Sequence, residues 1–385
     1  MILNLILGTL ALLSLALLLW QWLAAMRFPL HRREKSGDFA PAITLLKPLK
    51  GCDPATEDCL RSWFAQEYAG PVQILFAVSS NEDPVCAVVQ KLMGEFPARD
   101  AALIVVSKLS GANAKVSKLA EIEPLAKHDL IAVSDADVLA PPDFLTQAVI
   151  PLREERVGLV NCFYRLANPS TLAMQWEAIA INADFWSQVL QSKSLKPLDF
   201  ALGAVMVTRR KHVQEIGGFQ VLRDCLADDY QLGNRIARKG HSIALSPVVV
   251  ECWDPPSSWS AVWKHQLRWA RTIRVCQPVP YFFSILSNAG LWALLWLGCT
   301  LIAMAPGAPF PGVGFLALGC LGIRIVIACA LQRRITRSGN RAAFFWLVPI
   351  KDLLQAAIWF GAFAGNTIEW RGQKFALKPD GTLAK

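Results

Sequence analysis

The run from Ile2 to Ala25 carries no charged residue, and it limits what this chain can become more than any other stretch. As a helix it reaches about 36 Å at ~1.5 Å per residue, enough for a hydrocarbon core of about 30 Å. No Lys or Arg precedes it, whereas Arg27, His31, Arg32, Arg33 and Lys35 follow. A secretory leader would start positive, carry a shorter apolar run and end at a small-residue cleavage site. Residues 1–26 therefore read as an uncleaved anchor with its N-terminus outside and the following chain in the cytosol.

Composition extends that reading. Hydrophobic residues make up 54% of the 385 and charged ones 18%, against about a quarter charged in soluble domains; part of this chain belongs in lipid. The net charge of +9 admits nucleic acid, a membrane surface or an anionic substrate. Its cations cluster beside apolar segments, at Arg27 to Lys35 and at Arg333, Arg334, Arg337 and Arg341. That favours a bilayer partner and no nucleic acid. The ten cysteines are scattered without a C-x-x-C pair, which suits free thiols in a reducing compartment.

Towards the C-terminus, Tyr281 to Ala305 and Gly312 to Leu331 read as spans. The uncharged Pro/Gly loop between them is expected outside and the basic loop Gln332 to Arg341 inside. Ala342 to Gly365 is ambiguous, because Lys351 and Asp352 stand in its middle. They cost ~2.5–3.5 kcal/mol each, opposed by about ten Leu, Ile, Val or Phe at ~0.3–0.6 each. The sum is near zero, so the expectation is a re-entrant or interfacial segment, with the tail 371–385 cytosolic. Ahead of these spans, residues 257–280 form a basic stretch with Trp259, Trp263, Lys264, His265, Arg268, Trp269, Arg271 and Arg274, suited to a membrane interface.

Residues 41–256 have another texture. Ile43–Leu46, Val72–Val78, Leu103–Val106, Leu130–Val133 and Ser242–Val250 read as strands, with helical stretches at Pro54–Gln66, Pro84–Phe96 and Lys115–Leu125. Alternating β and α elements predict a mostly parallel, Rossmann-like doubly wound sheet.

Four clusters carry chemistry. The strand Leu130–Val133 runs out into Ser134, Asp135, Ala136 and Asp137, at the strand end where open α/β sheets bind ligands. Two carboxylates there suit Mg²⁺ or Mn²⁺ shared with substrate phosphates; the bland alternative is a solvated acidic turn. Upstream, Gly111-Ala-Asn-Ala-Lys115 offers Lys115 to a phosphate. The basic Gly-containing turn Leu45-Leu-Lys-Pro-Leu-Lys-Gly-Cys-Asp53 places Lys47 and Lys50 near phosphate or uracil, unless it is only a solvated loop. Leu226-Ala-Asp-Asp-Tyr-Gln-Leu-Gly233 opens a helix with Asp228 and Asp229, which also suits simple dipole complementation. His265-Gln-Leu-Arg-Trp269 closes the set.

Together these motifs resemble the ceramide glucosyltransferases, family-21 glycosyltransferases with a cytosol-facing GT-A domain. The likeness runs from about Leu45 to Arg274, and the K-P-L-K-G-x-D opening at Lys47 to Asp53 is its narrowest mark. Bacterial hopanoid glycosyltransferases look similar over the same stretch. The resemblance implies an early acid after the second strand, for which Glu82 and Asp83 are available, and an acid–Asp–Tyr base motif at Asp228, Asp229 and Tyr230. It also implies a (Q/R)-x-x-R-W motif, matched by Arg268 and Trp269 with His265 in the leading position. Asp184, Trp186 and His241 are further candidates to line the site.

The implied activity is inverting transfer of a hexose from a UDP-sugar to a membrane-lipid hydroxyl, with UDP-glucose and ceramide as first expectation. A hopanoid or other lipid N-acetylglucosaminyltransferase is the rival within the chemistry, and an inert nucleotide-binding membrane scaffold the rival outside it. In this scheme Asp135 and Asp137 hold the metal, Lys115 and Arg268 contact the diphosphate, Asp229 accepts the alcohol proton, Asp228 raises its pKa, and Trp269 walls the sugar or acceptor. A bacterial member would sit in the inner membrane.

Overall fold

The computed structural model describes residues 2–34, 38–304, 311–337, 344–370 and 373–384. Lys35, Arg341 and the loop 305–310, all used above to argue topology, lie outside the described residues, as do residues 371–372 at the start of the tail. The chain divides into two compact units: Pro29–Asn168, Lys196–Pro255 and Gly381–Lys385 form an α/β unit, and Met1–Phe28, Pro169–Leu195 and Pro256–Asp380 a mainly helical one.

The α/β unit is built on eight strands: β1 Ile43–Pro48, β2 Val72–Val78, β3 Asp100–Val105, β4 Leu130–Ser134, β5 Val138–Leu139, β6 Val157–Leu166, β7 Val205–Arg209 and β8 Ser242–Cys252. Their order is β3-β2-β1-β4-β7-β6-β8-β5. The first four run parallel, β7 is antiparallel to both β4 and β6, and β6 and β8 are parallel again. Every residue of β1 and β4 is buried, which is why both read as largely apolar runs, Thr44, Lys47 and Ser134 apart, rather than alternating ones. Helices Thr56–Phe64, Val85–Glu95 and Ala114–Ile122 cross between the parallel strands, packing Trp63, Phe64, Val89 and Leu92 into one core with Leu45, Phe76, Phe144 and Val160.

The strands read from sequence are all present, with ends moved by a few residues. The sequence reading passed over β5, β6 and β7. β6 carries Gly158 and Asn161 inside an apolar run, and β7, Val205–Arg209, starts two residues after Gly203; both interruptions mask a strand pattern.

In the helical unit, Ile2–Arg27 and Gly312–Thr336 are long and apolar enough to cross a membrane. The span expected at Tyr281–Ala305 is instead a bent pair, Pro278–Ser287 and Ala289–Ile302, at 49°. Asn288 makes the break. Its side chain caps Leu291 N at 3.1 Å and donates to Asp352 O at 2.8 Å, diverting the backbone from a continuous helix.

The ambiguous segment is the helix Leu347–Phe363, and its charges are paired. Arg324, in the middle of an apolar helix, donates to both oxygens of Asp184 (3.0 and 2.9 Å) and to both of Asp352 (2.8 Å each). Lys351 joins Asp184 and Asp352. Two cations thus balance two anions, all buried, so the insertion cost summed for lone charges does not apply. Gly290 permits this packing: a Cβ there would lie 2.1 Å from Asp352 Oδ2.

Residues 172–195, taken above as part of the catalytic domain, belong to the helical unit. There Leu172–Ile179 passes through a π-helical turn, Ala180–Phe185, into Trp186–Leu195. The helix Trp259–Cys276 and an antiparallel hairpin, β9 Thr367–Trp370 with β10 Gln373–Leu377, complete the parts used below.

Candidate active site

In the α/β unit the site forms where β4 ends. Residue Leu46 pairs with Val133, so the loops leaving β1 and β4 emerge side by side. Asp135 is the first residue beyond β4, and its N–H donates to Ala204 O at 3.2 Å. Its carboxylate meets Lys115 Nζ at 2.7 Å, and the same ammonium reaches Asp228 Oδ2 at 3.2 Å. One lysine therefore ties the D-x-D turn to the start of the helix Asp228–Arg238. Burial disfavours that charge, but Asp135 and Asp228 outweigh it and hold the Lys115 pKa well above the usual lysine range.

Asn113, which the sequence reading quoted but gave no role, is fully buried and links the same parts. Its Oδ1 caps the helix Ala114–Ile122 by accepting from Lys115 N and Val116 N, while its Nδ2 donates to Asp228 Oδ1 at 3.3 Å and Cys225 O at 2.9 Å. The sequence signal was available: Asn immediately before a helical run is a cap.

The neighbouring acids are held differently. Asp228 is buried and occupied by Lys115 and Asn113. Asp229 accepts from Tyr230 N at 2.8 Å and faces Gly203, where a Cβ would come within 2.6 Å of its Oδ2. Burial first, then the charge of Asp228, pushes its pKa up to about 6. Segment 203–204 thus touches both halves of the site, Gly203 at Asp229 and Ala204 at Asp135.

Asp137 lies deeper. Burial, then Asp135, then Asp254 raise its pKa to about 7. Among the described residues it forms no salt bridge. Asp254, just beyond β8, was missed because nothing in its sequence neighbourhood signals an acid folded back towards β4. Asp135 and Asp254 thus both put like charge beside Asp137, and carboxylate oxygens are the donor type that Mg²⁺ and Mn²⁺ take.

Lys47 stands corrected. It is wholly buried on β1, donating to Ser134 Oγ at 3.1 Å and Asp135 O at 2.7 Å, with its ammonium 4.9 Å from the Trp63 ring centre. Burial brings its pKa down to about 8. It props the D-x-D turn from beneath and presents nothing to a nucleotide. Lys50 is exposed. Of the early acids, Asp83 accepts from Gly51 N at 3.0 and 3.1 Å, fixing the Lys50–Gly51 turn to the loop after β2, whereas Glu82 is exposed. His241 is also corrected. It immediately precedes β8, whose first residue Ser242 pairs with Val157 at the sheet end away from Ser134, with Nε2 2.9 Å from Glu215 and its ring tilted against that of His212.

The remaining motif lies in the helical unit. His265 Nδ1 is 2.7 Å from Glu177 Oε1, which also accepts from Gln266 Nε2 at 2.9 Å. Glu177 is buried and was missed, because only the tertiary fold brings it to His265. The carboxylate fixes the imidazole with Nε2 as its remaining hydrogen-bonding atom. Trp269 packs edge-on to His265 and against Phe185. Asp184 is consumed by the ion cluster around Arg324, and Trp186 is buried with its indole N–H bonded to Asn182 O; neither is left to bind a substrate.

Residues 6–383 match the model for glycosyl transferase family 21. The chain belongs to that family. Among curated relatives, ceramide glucosyltransferase 3 of Caenorhabditis elegans is 25% identical over 227 residues, 58% of this chain and 49% of that one. An N-acetylglucosaminyltransferase of Mesorhizobium japonicum is 24% identical over 253 residues, 62% of this chain and 57% of that one. The family-21 chain spans about half the length of these relatives. A solved mannosyltransferase from Pyrobaculum calidifontis, in complex with GDP-Man and Mn²⁺, superposes with a TM-score of 0.54 at 18% identity, covering 91% of this chain and 98% of that one. The fold is GT-A, as the motifs implied, with apolar helices long enough to place it in a membrane.

Proposed function

We propose that this family-21 chain transfers a hexose, glucose first, from a UDP-sugar to the hydroxyl of a membrane lipid, ceramide first, with inversion. The observation that carries this is the Lys115 bridge between Asp135 and Asp228, beside an Asp229 whose pKa is raised to about 6. It links the strand end proposed to take the cation with the helix that carries the candidate base.

Asp135 and Asp137 would hold Mg²⁺ or Mn²⁺, whose charge offsets that gathering on a departing diphosphate. Lys115 supplies a fixed positive charge to the same region. Asp229 takes the proton from the attacking alcohol; a base with a pKa near 6 is ionised at neutral pH yet still basic enough to accept a proton. Asp228, locked by Lys115 and Asn113, keeps that pKa high and holds the helix start in place. His265, Arg268 and Trp269 serve donor or acceptor binding, with Glu177 setting the His265 ring. The α/β unit faces the cytosol in this reading, which the cations following Ile2–Arg27 support.

The Mesorhizobium japonicum relative, aligned over more of this chain than the C. elegans enzyme, favours UDP-N-acetylglucosamine as a second donor. One assay decides between them: purified protein, Mn²⁺, labelled UDP-glucose or UDP-N-acetylglucosamine, and ceramide or total bacterial lipid, with products identified by mass spectrometry. Glucosylceramide supports the first reading and an N-acetylglucosaminyl lipid the second. A nucleotide bound without any transfer would return the inert scaffold.

A further inference from the structure

The segment that leads into Asp228 and Asp229 is gripped along both edges, entirely within the α/β unit. On one edge, Arg223 O accepts from Asn113 N at 2.8 Å and Cys225 O from Asn113 Nδ2 at 2.9 Å. Asp224 O turns the other way and accepts from Leu383 N at 2.7 Å. The Leu226 N–H donates to Gly381 O at 3.3 Å, so two hydrogen bonds flank an antiparallel pair, Cys225 with Thr382. The 223 and 225 carbonyls serve one neighbour, and the 224 carbonyl and 226 amide the other. That is the alternation of a strand paired on both sides.

The first edge is already tied to the site, because the same Asn113 side chain caps the helix carrying Lys115 and donates to Asp228 Oδ1. Ala112 N adds a bond to Asp224 Oδ1 at 2.9 Å. The second edge is held by the strap Gly381–Leu383, more than 150 residues further along the chain. Cys225, Leu226 and Leu383 are all buried, so water does not compete for these backbone groups. Gly381 has a φ of +83°, and a Cβ there would lie 3.4 Å from Gln231 Nε2, in the first turn of the base helix. A larger residue would be both strained and crowded. Leu226 stands two residues before Asp228 and three before Asp229. A segment bonded along one edge is free to pivot about it, and pairing along the second edge removes that freedom.

We propose that the strap Gly381–Leu383 is a positioning element for the candidate base, holding residues 223–226 so that Asp228 and Asp229 open their helix where Lys115 ties it to Asp135. Its catalytic consequence rests on the glycosyl-transfer reading; its structural consequence rests on the pairing alone.

Leu383→Pro in the full chain removes the N–H that Asp224 O accepts, whereas Leu383→Met keeps it together with an apolar side chain. Gly381→Val disturbs the other end of the same pairing. Hydrogen exchange in detergent, read by mass spectrometry, should show Leu383→Pro and Gly381→Val losing protection across residues 223–231 and 111–116. Both should keep it across Leu130–Ser134, which general unfolding would expose as well. In the lipid transfer assay their kcat should fall about 10-fold or more, towards the ~10²-fold of a reacting group misplaced by about 1 Å, with the sugar-nucleotide KM within about two-fold. Leu383→Met should match the unaltered chain in both measurements. Unchanged protection at 223–231, equal loss at Leu130–Ser134 in both disruptive variants, an unchanged kcat, or equal impairment in Leu383→Met would overturn the proposal. An unaltered chain that transfers nothing would sink the glycosyl-transfer reading instead, and exchange would still decide whether the strap holds the helix start.

Discussion

Asp229 and Asp228 are adjacent in sequence and differ in their neighbours. Asp228 is neutralised by Lys115 and braced by Asn113, whereas Asp229 has a backbone N–H, a buried setting and a like charge next to it. Its pKa of about 6 lies above the ordinary carboxylate value, and a base works only in its ionised form. Transfer should therefore rise with pH through about 6 and level off above it. In Asp228→Asn the like charge is gone, so the midpoint of that limb should move to lower pH in a kcat/KM profile. Gly203→Ala places a methyl where the Asp229 carboxylate now lies and should lower kcat at least about 10²-fold, the scale of a displaced reacting group, with little change in melting temperature.

At the scale of elements, β4 and its exit turn do most of the positioning, and this part was legible in the sequence. A buried apolar run that stops at Ser134 and two acids shows from sequence where the strand ends. Lys47 was misread for an instructive reason. Its motif suggested a phosphate contact, but a residue on a strand buried on both faces cannot reach solvent, and a sequence motif does not say which side of the turn a lysine lies. Glu177, Asp254 and the Arg324 cluster were invisible because each depends on residues far apart in the chain. Asn113→Ala should lose about 1 kcal/mol from the cap and more from the unpaired Asp228, read as a lower urea midpoint with an unchanged m-value. Arg324→Met leaves two buried acids with only Lys351 between them and should cost about 3–5 kcal/mol, read as loss of folded protein in detergent by size-exclusion chromatography.

For the molecule as a whole, the charges that looked prohibitive for membrane helices are balanced inside the helical unit, and the acids proposed to carry the chemistry lie near the end of β4 in the α/β unit. The central claim is that this strand end holds a metal-bound nucleotide sugar while Asp229 deprotonates the acceptor. Its most direct test pairs two readings on Asp229→Asn in neutral-lipid nanodiscs with Mn²⁺: UDP-sugar affinity by calorimetry and single-turnover transfer to lipid. The account predicts affinity within a few-fold of the unaltered protein and transfer slowed by about 10²–10⁴-fold. Transfer at an undiminished rate, with the sugar donor bound as before, would contradict it.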